Sequence, residues 1–334
     1  MWYGGVHKDN KSVNPDDFCL FMIPDVTYLI LNYNPRGEET AQGILGETIR
    51  SFHERKSPRL KAEVYLLDQG TTGGHRRWLR EQEARFGFSL ILLEENIGIS
   101  GAINRLVRMA RSPVVALITS DVIVTTGMDE DLFEKVQIPE VFQALPFTDK
   151  SDVPRHCWIP AEPFGSDGLD LAPLQETELS LMGRLAGRKR RGYLRCIGVE
   201  LNAMFWRRSV FDEVGFFDER WKACYENNDF SLRCFLAGGC TAVSYDSFVW
   251  HHHKVTEKND SRKLVFACYG EDGTAVMKAL WDEKWPDLNR HLDIYRTLGE
   301  RTIRDFPEIT SRYGHSRYLP DPLEKGRSDP GGKI

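Results

Sequence analysis

Two side chains in this 334-residue chain stand where a divalent cation could be held. Asp121 lies in Ile118-Thr-Ser-Asp-Val122, directly after an apolar run. A carboxylate at the tip of a buried strand offers hard oxygen ligands. The same position also suits an Asp that caps a turn. His251 opens the triplet His251-His-His253, after the strand-like run from Thr241 to Trp250. Alternate residues of a strand share a face, so His251 and His253 point one way and His252 the other. A histidine here could complete a metal site begun by Asp121. Three successive histidines equally suit a solvated loop. The seven cysteines form no Cys-x-x-Cys pair, so zinc spacing is absent. They are expected to be free thiols of a reducing compartment.

Proton chemistry points to Tyr225-Glu-Asn-Asn-Asp229. Glu226 and Asp229 are three apart, which puts them on one face of a helix. A carboxylate beside a crevice can act as a general base, and an acid at a helix start can also simply cap it. Glu95-Asn-Ile-Gly-Ile-Ser-Gly-Ala-Ile-Asn104 is a glycine-containing loop that leads into a helix. Such a loop lets backbone amides approach a nucleotide closely. Gly98 and Gly101 do not have G-x-G-x-x-G spacing, which counts against a dinucleotide-binding enzyme. No P-loop and no G-x-S-x-G elbow occur.

These residues need elements to position them. Four near-continuous apolar runs, Val26 to Asn34, Ala62 to Asp68, Phe88 to Glu94 and Pro113 to Thr119, read as strands covered on both faces. Helical spacing fills the gaps, at Glu39 to Glu54, Arg76 to Phe86 and Ser100 to Arg111. Strand–helix repetition makes βαβ units, whose ligands bind beyond the carboxyl ends of the strands. Asn32, Asn34, Asp68, Asn96 and Asp121 all fall at those ends. Further on, Pro139 to Pro173 reads as long loops, Val199 to Val210 as a strand entering a short helix, and Glu226 to Ala237 as a helix. The stretch from Ser261 to about Leu298 reads as helical, and the tail after Tyr313 as mobile. With 41% hydrophobic and 28% charged residues the chain can build a core. A net charge of −5 argues against wholesale polyanion binding. No apolar run approaches the roughly 20 residues of a membrane-spanning helix, and Met1 to Asn10 does not look like a signal peptide.

Taken in order, the segments resemble the family 2 glycosyltransferases of the GT-A fold. Leu31-Asn-Tyr-Asn34 resembles the first-strand Tyr-Asn, and Leu67-Asp-Gln-Gly-Thr-Thr-Gly-Gly74 the Asp-x-x-Ser-x-Asp-Gly segment whose first Asp contacts the base. Glu95 to Asn104 is similar to Asn-x-Gly-x-x-x-Ala-x-Asn, and Thr119-Ser-Asp121 stands in the place of the metal-binding D-x-D. Arg207 to Glu219 resembles the stretch before the acceptor-site acids. Tyr225 to Arg233 resembles Tyr-Glu-Asp-x-Asp-Leu-x-x-Arg. Val249-Trp-His251 resembles the late metal-binding His, and Glu283-Lys-Trp-Pro286 the Lys-Trp-Gly of the trailing helices. There are two departures. Thr119 replaces the first acid of D-x-D, which leaves Asp121 as the main carboxylate. Asn227 occupies the place of the usual catalytic Asp, which leaves Glu226 or Asp229. Glu-Asn also occurs in the retaining polypeptide N-acetylgalactosaminyltransferases.

The resemblance implies an α/β fold with a Rossmann-like, mostly parallel sheet flanked by helices and followed by a C-terminal helical extension. It divides the chain into an N-terminal extension (1–24), a nucleotide-sugar half (25–125), an acceptor half of the same domain (126–255) and a helical extension with its tail (256–334). It implies metal-assisted transfer of a sugar from a nucleoside-diphosphate sugar, UDP being a candidate carrier, to an acceptor hydroxyl, with inversion. Asn32, Tyr33, Asn34, Asp68, Asn96, Gly98, Gly101, Asn104 and Ser120 would line the donor site. Asp121, His251 and His253 would hold Mn2+ or Mg2+, and Glu226 or Asp229 would be catalytic. A retaining transferase and a sugar-nucleotide-binding module with weakened chemistry are the alternatives. The basic cluster Gly187-Arg-Lys-Arg-Arg-Gly192, within 184–195, could grip a nucleic acid or an anionic lipid carrier, or be a solvated loop. A cytoplasmic enzyme, peripheral at the membrane if the acceptor is a lipid, is the expected setting.

Overall fold

The computed structural model describes residues 23–34, 37, 39–148, 192–196, 201–252 and 268–286. The N-terminal extension up to residue 22, the basic cluster up to residue 191, His253 and the tail lie outside the described residues. Strand and helix alternate as β1 (Val26–Asn32), α1 (Glu39–Arg55), β2 (Ala62–Gln69), α2 (Gly73–Phe86), β3 (Ser89–Leu93), α3 (Gly98–Met109) and β4 (Val114–Thr119). Every residue of β1 is buried, which requires cover on both faces of the sheet. Val26, Tyr28 and Ile30 share one core with Leu45, Ile49 and Phe52 of α1 and Leu79 of α2. Leu29 and Leu31 share the opposite core with Ala102, Ile103 and Leu106 of α3. The period-two alternation of β1 thus feeds two helix layers.

The second half contributes β5 (Val122–Val124), α4 (Met128–Val136), β6 (Val141–Thr148), β7 (Tyr193–Cys196), β8 (Ala203–Arg207), α5 (Val210–Val214), α6 (Glu226–Leu236), β9 (Cys240–His251) and α7 (Gly273–Lys284). All the described strands join one sheet of order β3-β2-β1-β4-β8-β6-β9-β5, with β7 beside β9. The first four strands are parallel, as expected. Beyond β4 the sheet is mixed: β8 runs antiparallel to β4 and β6, whereas β6 and β9 are parallel.

The stretch expected to be loop from Pro139 therefore begins with a fully buried strand, β6. Gln143 and Pro146 disguise it. Gln143 is satisfied inside the core, since its Nε2 donates to Ser231 Oγ and Thr241 Oγ1, both at 2.6 Å. Its Oε1 accepts from Trp206 Nε1 at 2.9 Å. Pro146 lies beyond the two residues that pair with β8, at a register shift against β9, where a missing N–H is tolerated.

Candidate active site

The carboxyl edge of the parallel strands gathers most of the expected polar residues. Asn32 and Asp68 are register partners at the ends of β1 and β2. Asn32 Nδ2 donates to Asp68 Oδ1 at 2.6 Å. The Thr71 hydroxyl donates to the same oxygen at 2.7 Å and lies 3.2 Å from the Asn34 carbonyl. The Thr71 amide reaches Asp68 Oδ2 at 3.3 Å. Asp68 is fully buried, so it shapes the floor of this edge from beneath. Asn34 is buried and Tyr33 half-buried at the rim.

The turn between β4 and β5 carries Ser120 and Asp121. Helix α1 pins it: the Thr48 hydroxyl donates to the Ser120 carbonyl at 3.0 Å, and Ser51 Oγ accepts from the Val124 amide at 3.1 Å. Strand β5 pairs antiparallel with the end of β9, with Val122 opposite His251. This register brings Asp121 Oδ2 to 3.1 Å from His251 Nε2. This is a hydrogen-bonding distance, and the imidazole nitrogen and carboxylate oxygen that meet here are both atom types that could hold a divalent cation. Both side chains are partly sheltered, 18% and 8% exposed. His252 faces the other way, as alternation requires. Its amide donates to the Asp121 carbonyl at 2.7 Å and its ring pairs with Glu47 of α1 at 3.0 Å. Glu47 had no signal in the sequence, because its partner is far away in the chain. Among the described residues no cluster of three His, Cys, Asp or Glu forms.

The segment from Glu95 to Asn104 starts at the same edge, just past β3, where the Ile97 amide donates to Gln69 Oε1 at 3.0 Å, and then packs against residues 217–222. Gly98 has φ +78°, and a Cβ there would lie 2.6 Å from Lys222 Cα. The Ile99 amide donates to the Lys222 carbonyl at 3.0 Å, and Ser100 Oγ to the Trp221 carbonyl at 2.6 Å. A Cβ at Gly101 would lie 3.3 Å from the Ile97 side chain. Asn104 donates to the Phe217 carbonyl at 2.9 Å and to Glu219 Oε1 at 2.8 Å, and accepts from the Phe217 amide at 2.9 Å. Asn96 caps the loop through the Gly98 amide at 2.8 Å. The close approach that Gly98 permits is used by Lys222, in the segment that leads into α6.

Residues 30–215, more than half of the chain, match the family model described as glycosyl transferase family 2. The chain belongs to glycosyl transferase family 2. A solved structure shows the same fold. A crystal structure of GalNAc-T7 with UDP, GalNAc and Mn2+ aligns with a TM-score of 0.50 at 15% identity, over 69% of this chain and 44% of that one. S. aureus TarS 1–349 aligns with a TM-score of 0.48 at 15% identity, over 86% and 78%. The chain thus spans less than half the length of GalNAc-T7. No curated protein matches it.

In this family 2 chain, Glu226 opens α6 and is 7% exposed. The two residues before it, Cys224 and Tyr225, both have left-handed backbone, φ 63° and 64°. Two consecutive non-glycine residues in that region are uncommon, and such strain concentrates at functional sites. Glu226 Oε2 is buried without a hydrogen-bond partner. Burial pushes its carboxyl up to about 7. A carboxylate in this state is poised for proton transfer near neutrality.

Asp229, the other candidate carboxylate, is wholly buried and engaged. Its Oδ1 accepts from Trp285 Nε1 at 2.9 Å and Lys284 Nζ at 2.8 Å, and its Oδ2 from Arg233 Nε at 3.1 Å. Lys284 also reaches Asp218 at 3.0 Å. Burial alone would raise the Asp218 carboxyl, but Arg220 and Lys284 hold it well below the usual carboxylate range. Asp229 therefore ties α6 to α7. Asp229→Asn is expected to cost about 3 kcal/mol, the scale of breaking a buried ion pair, measured by urea denaturation. A variant as stable as the parent but inactive would return Asp229 to the chemistry.

No helix among the described residues is long and apolar enough to cross a membrane. The described cysteines Cys224, Cys234, Cys240 and Cys268 are free thiols.

Proposed function

We propose that the chain transfers a sugar from a nucleoside-diphosphate sugar to an acceptor hydroxyl, assisted by a divalent cation, and inverts the anomeric centre. The observation that carries this reading is the 3.1 Å meeting of Asp121 Oδ2 and His251 Nε2, from a turn and a strand 130 residues apart. An imidazole nitrogen beside a carboxylate suits Mn2+ better than Mg2+, which takes oxygen ligands. When bound, the cation supplies Lewis-acid charge to the departing diphosphate. The ends of β1 and β2, with Asn32, Asn34 and Asp68, receive the nucleoside.

Glu226 Oε2 takes the proton of the acceptor hydroxyl. The acceptor oxygen bonds to the anomeric carbon, and the bond to the diphosphate breaks with its electron pair on the leaving group. One base and one displacement give inversion. Asn227 cannot take the proton, and Asp229 is held by Lys284, Trp285 and Arg233. Asn96, Gly98, Gly101 and Asn104 serve this step by fixing residues 217–222, and so the approach to Glu226. UDP is the first nucleotide to test, since the GalNAc-T7 complex contains UDP and Mn2+.

A thermal-shift panel of nucleotide sugars tests the reading. A donor at about 100 times its Kd stabilises the folded state by about 2.7 kcal/mol, a rise on the order of 5 °C. The rise should require Mn2+ or Mg2+. A panel in which no nucleotide sugar shifts the transition, with or without the cation, would end the proposal.

A further inference from the structure

His75 lies in the first turn of α2, near the ends of β1 and β2, and is 4% exposed. Its ring stacks on Trp78, with centroids 5.2 Å apart. Nδ1 is 3.0 Å from Gln42 Oε1 on α1. An amide oxygen only accepts, so Nδ1 carries the ring proton and Nε2 presents a lone pair. That lone pair faces Asn32 Nδ2 at 3.4 Å. The other amide hydrogen of Asn32 goes to Asp68 Oδ1 at 2.6 Å. Both hydrogens are committed, so the amide cannot turn over without losing both bonds.

We propose that His75 is a positioning residue for the nucleotide: as a hydrogen-bond acceptor it fixes the Asn32 amide, and through it the Asp68 carboxylate, at the floor of the donor crevice. The role rests on the assignment of that edge to the nucleoside, made above. A chain of four side chains, Gln42, His75, Asn32 and Asp68, then runs from α1 through α2 to β1 and β2. It ends at the Thr71 turn, where Asp68 accepts the hydroxyl at 2.7 Å.

The acceptor role requires the neutral ring. Burial lowers the proton affinity of His75 below the ordinary histidine value, and the Asp68 charge opposes this in part. Asp68 is the titratable group facing the ring, while Asn32, Gln42 and Trp78 do not titrate. Protonation would set an N–H at Nε2 against the N–H of Asn32. Two donors cannot share that contact, so Asn32 must turn and Asp68 loses its closest partner. Nucleotide affinity should fall as the pH drops below the histidine range.

The experiment is UDP binding by calorimetry with Mn2+, on the full chain and its variants. His75→Phe removes the acceptor and is expected to weaken UDP about three- to tenfold at neutral pH, the worth of one neutral hydrogen bond. His75→Gln restores an acceptor that does not titrate. It should bind within about threefold of the parent and lose the part of the acid weakening that His75 causes. Asp68→Asn separates the two claims. If Asp68→Asn weakens UDP while His75→Phe binds like the parent, the inference fails and the nucleotide assignment stands. If Asp68→Asn binds like the parent, or the parent does not bind UDP, the assignment fails and the inference with it. Should His75→Phe fold poorly, the comparison of parent and His75→Gln decides: identical pH profiles overturn the proposal.

Discussion

Asp121→Ala should reduce metal-dependent sugar transfer at least about 1,000-fold, the cost of several kcal/mol of lost charge stabilisation. Asp121 is pinned from two sides, by the α1 contacts to its turn and by the His252 amide on its carbonyl. Truncating its side chain removes a carboxylate without releasing the backbone. The variant should therefore melt close to the parent in the absence of ligand. It should also lose the Mn2+-dependent stabilisation by nucleotide sugar, while His251→Ala shows the same pattern more weakly. Turnover equal to the parent across a Mn2+ titration would remove the cation site from these two residues.

Glu226→Gln is the second large effect. A positioned general base is worth about 10²–10⁴-fold, and glutamine keeps the shape while losing the proton acceptor. Donor affinity should stay within about twofold, since Glu226 does not touch the β1–β2 edge in the proposed arrangement. Because the base must be ionised, parent turnover should rise with pH through about 7, the value to which burial pushes this carboxyl. The stability effect has the opposite sign. A carboxyl raised from 4.5 to about 7 holds its proton in the folded chain where the unfolded chain has released it. Its contribution is complete below 4.5 and is lost as pH rises through about 7. The loss is on the order of 3 kcal/mol. Glu226→Gln should escape it and unfold later than the parent under alkaline conditions. Equal loss of turnover and donor binding would instead give Glu226 a structural role.

The first half of the fold was legible because β1 to β4 are apolar runs with polar tips, and helix spacing repeats between them. Strand β6 was hidden by Gln143 and Pro146. One is paid for by three hydrogen bonds, the other by a register shift, and neither arrangement leaves a local mark in the chain. The pairing of Asp121 with His251 was legible because both residues end apolar runs. Asp229 was ambiguous because its partners, Lys284 and Trp285, are more than fifty residues away. In the segment around Gly98 the glycines announced a close neighbour without naming it, and the neighbour is Lys222. His75 was silent: its role depends on Gln42 and Asn32 converging from α1 and β1.

The bond between α6 and α7 also bears on how the enzyme comes into being at the ribosome. The nine described strands and the proposed donor edge are encoded before residue 252, yet Lys284 and Trp285 come later. A nascent chain that has released β9 has the sheet for a nucleotide crevice, while Asp229 still lacks two of the three partners that hold it. Donor recognition would then precede catalytic competence during synthesis, and the growing chain would stay silent until its last described helix had docked.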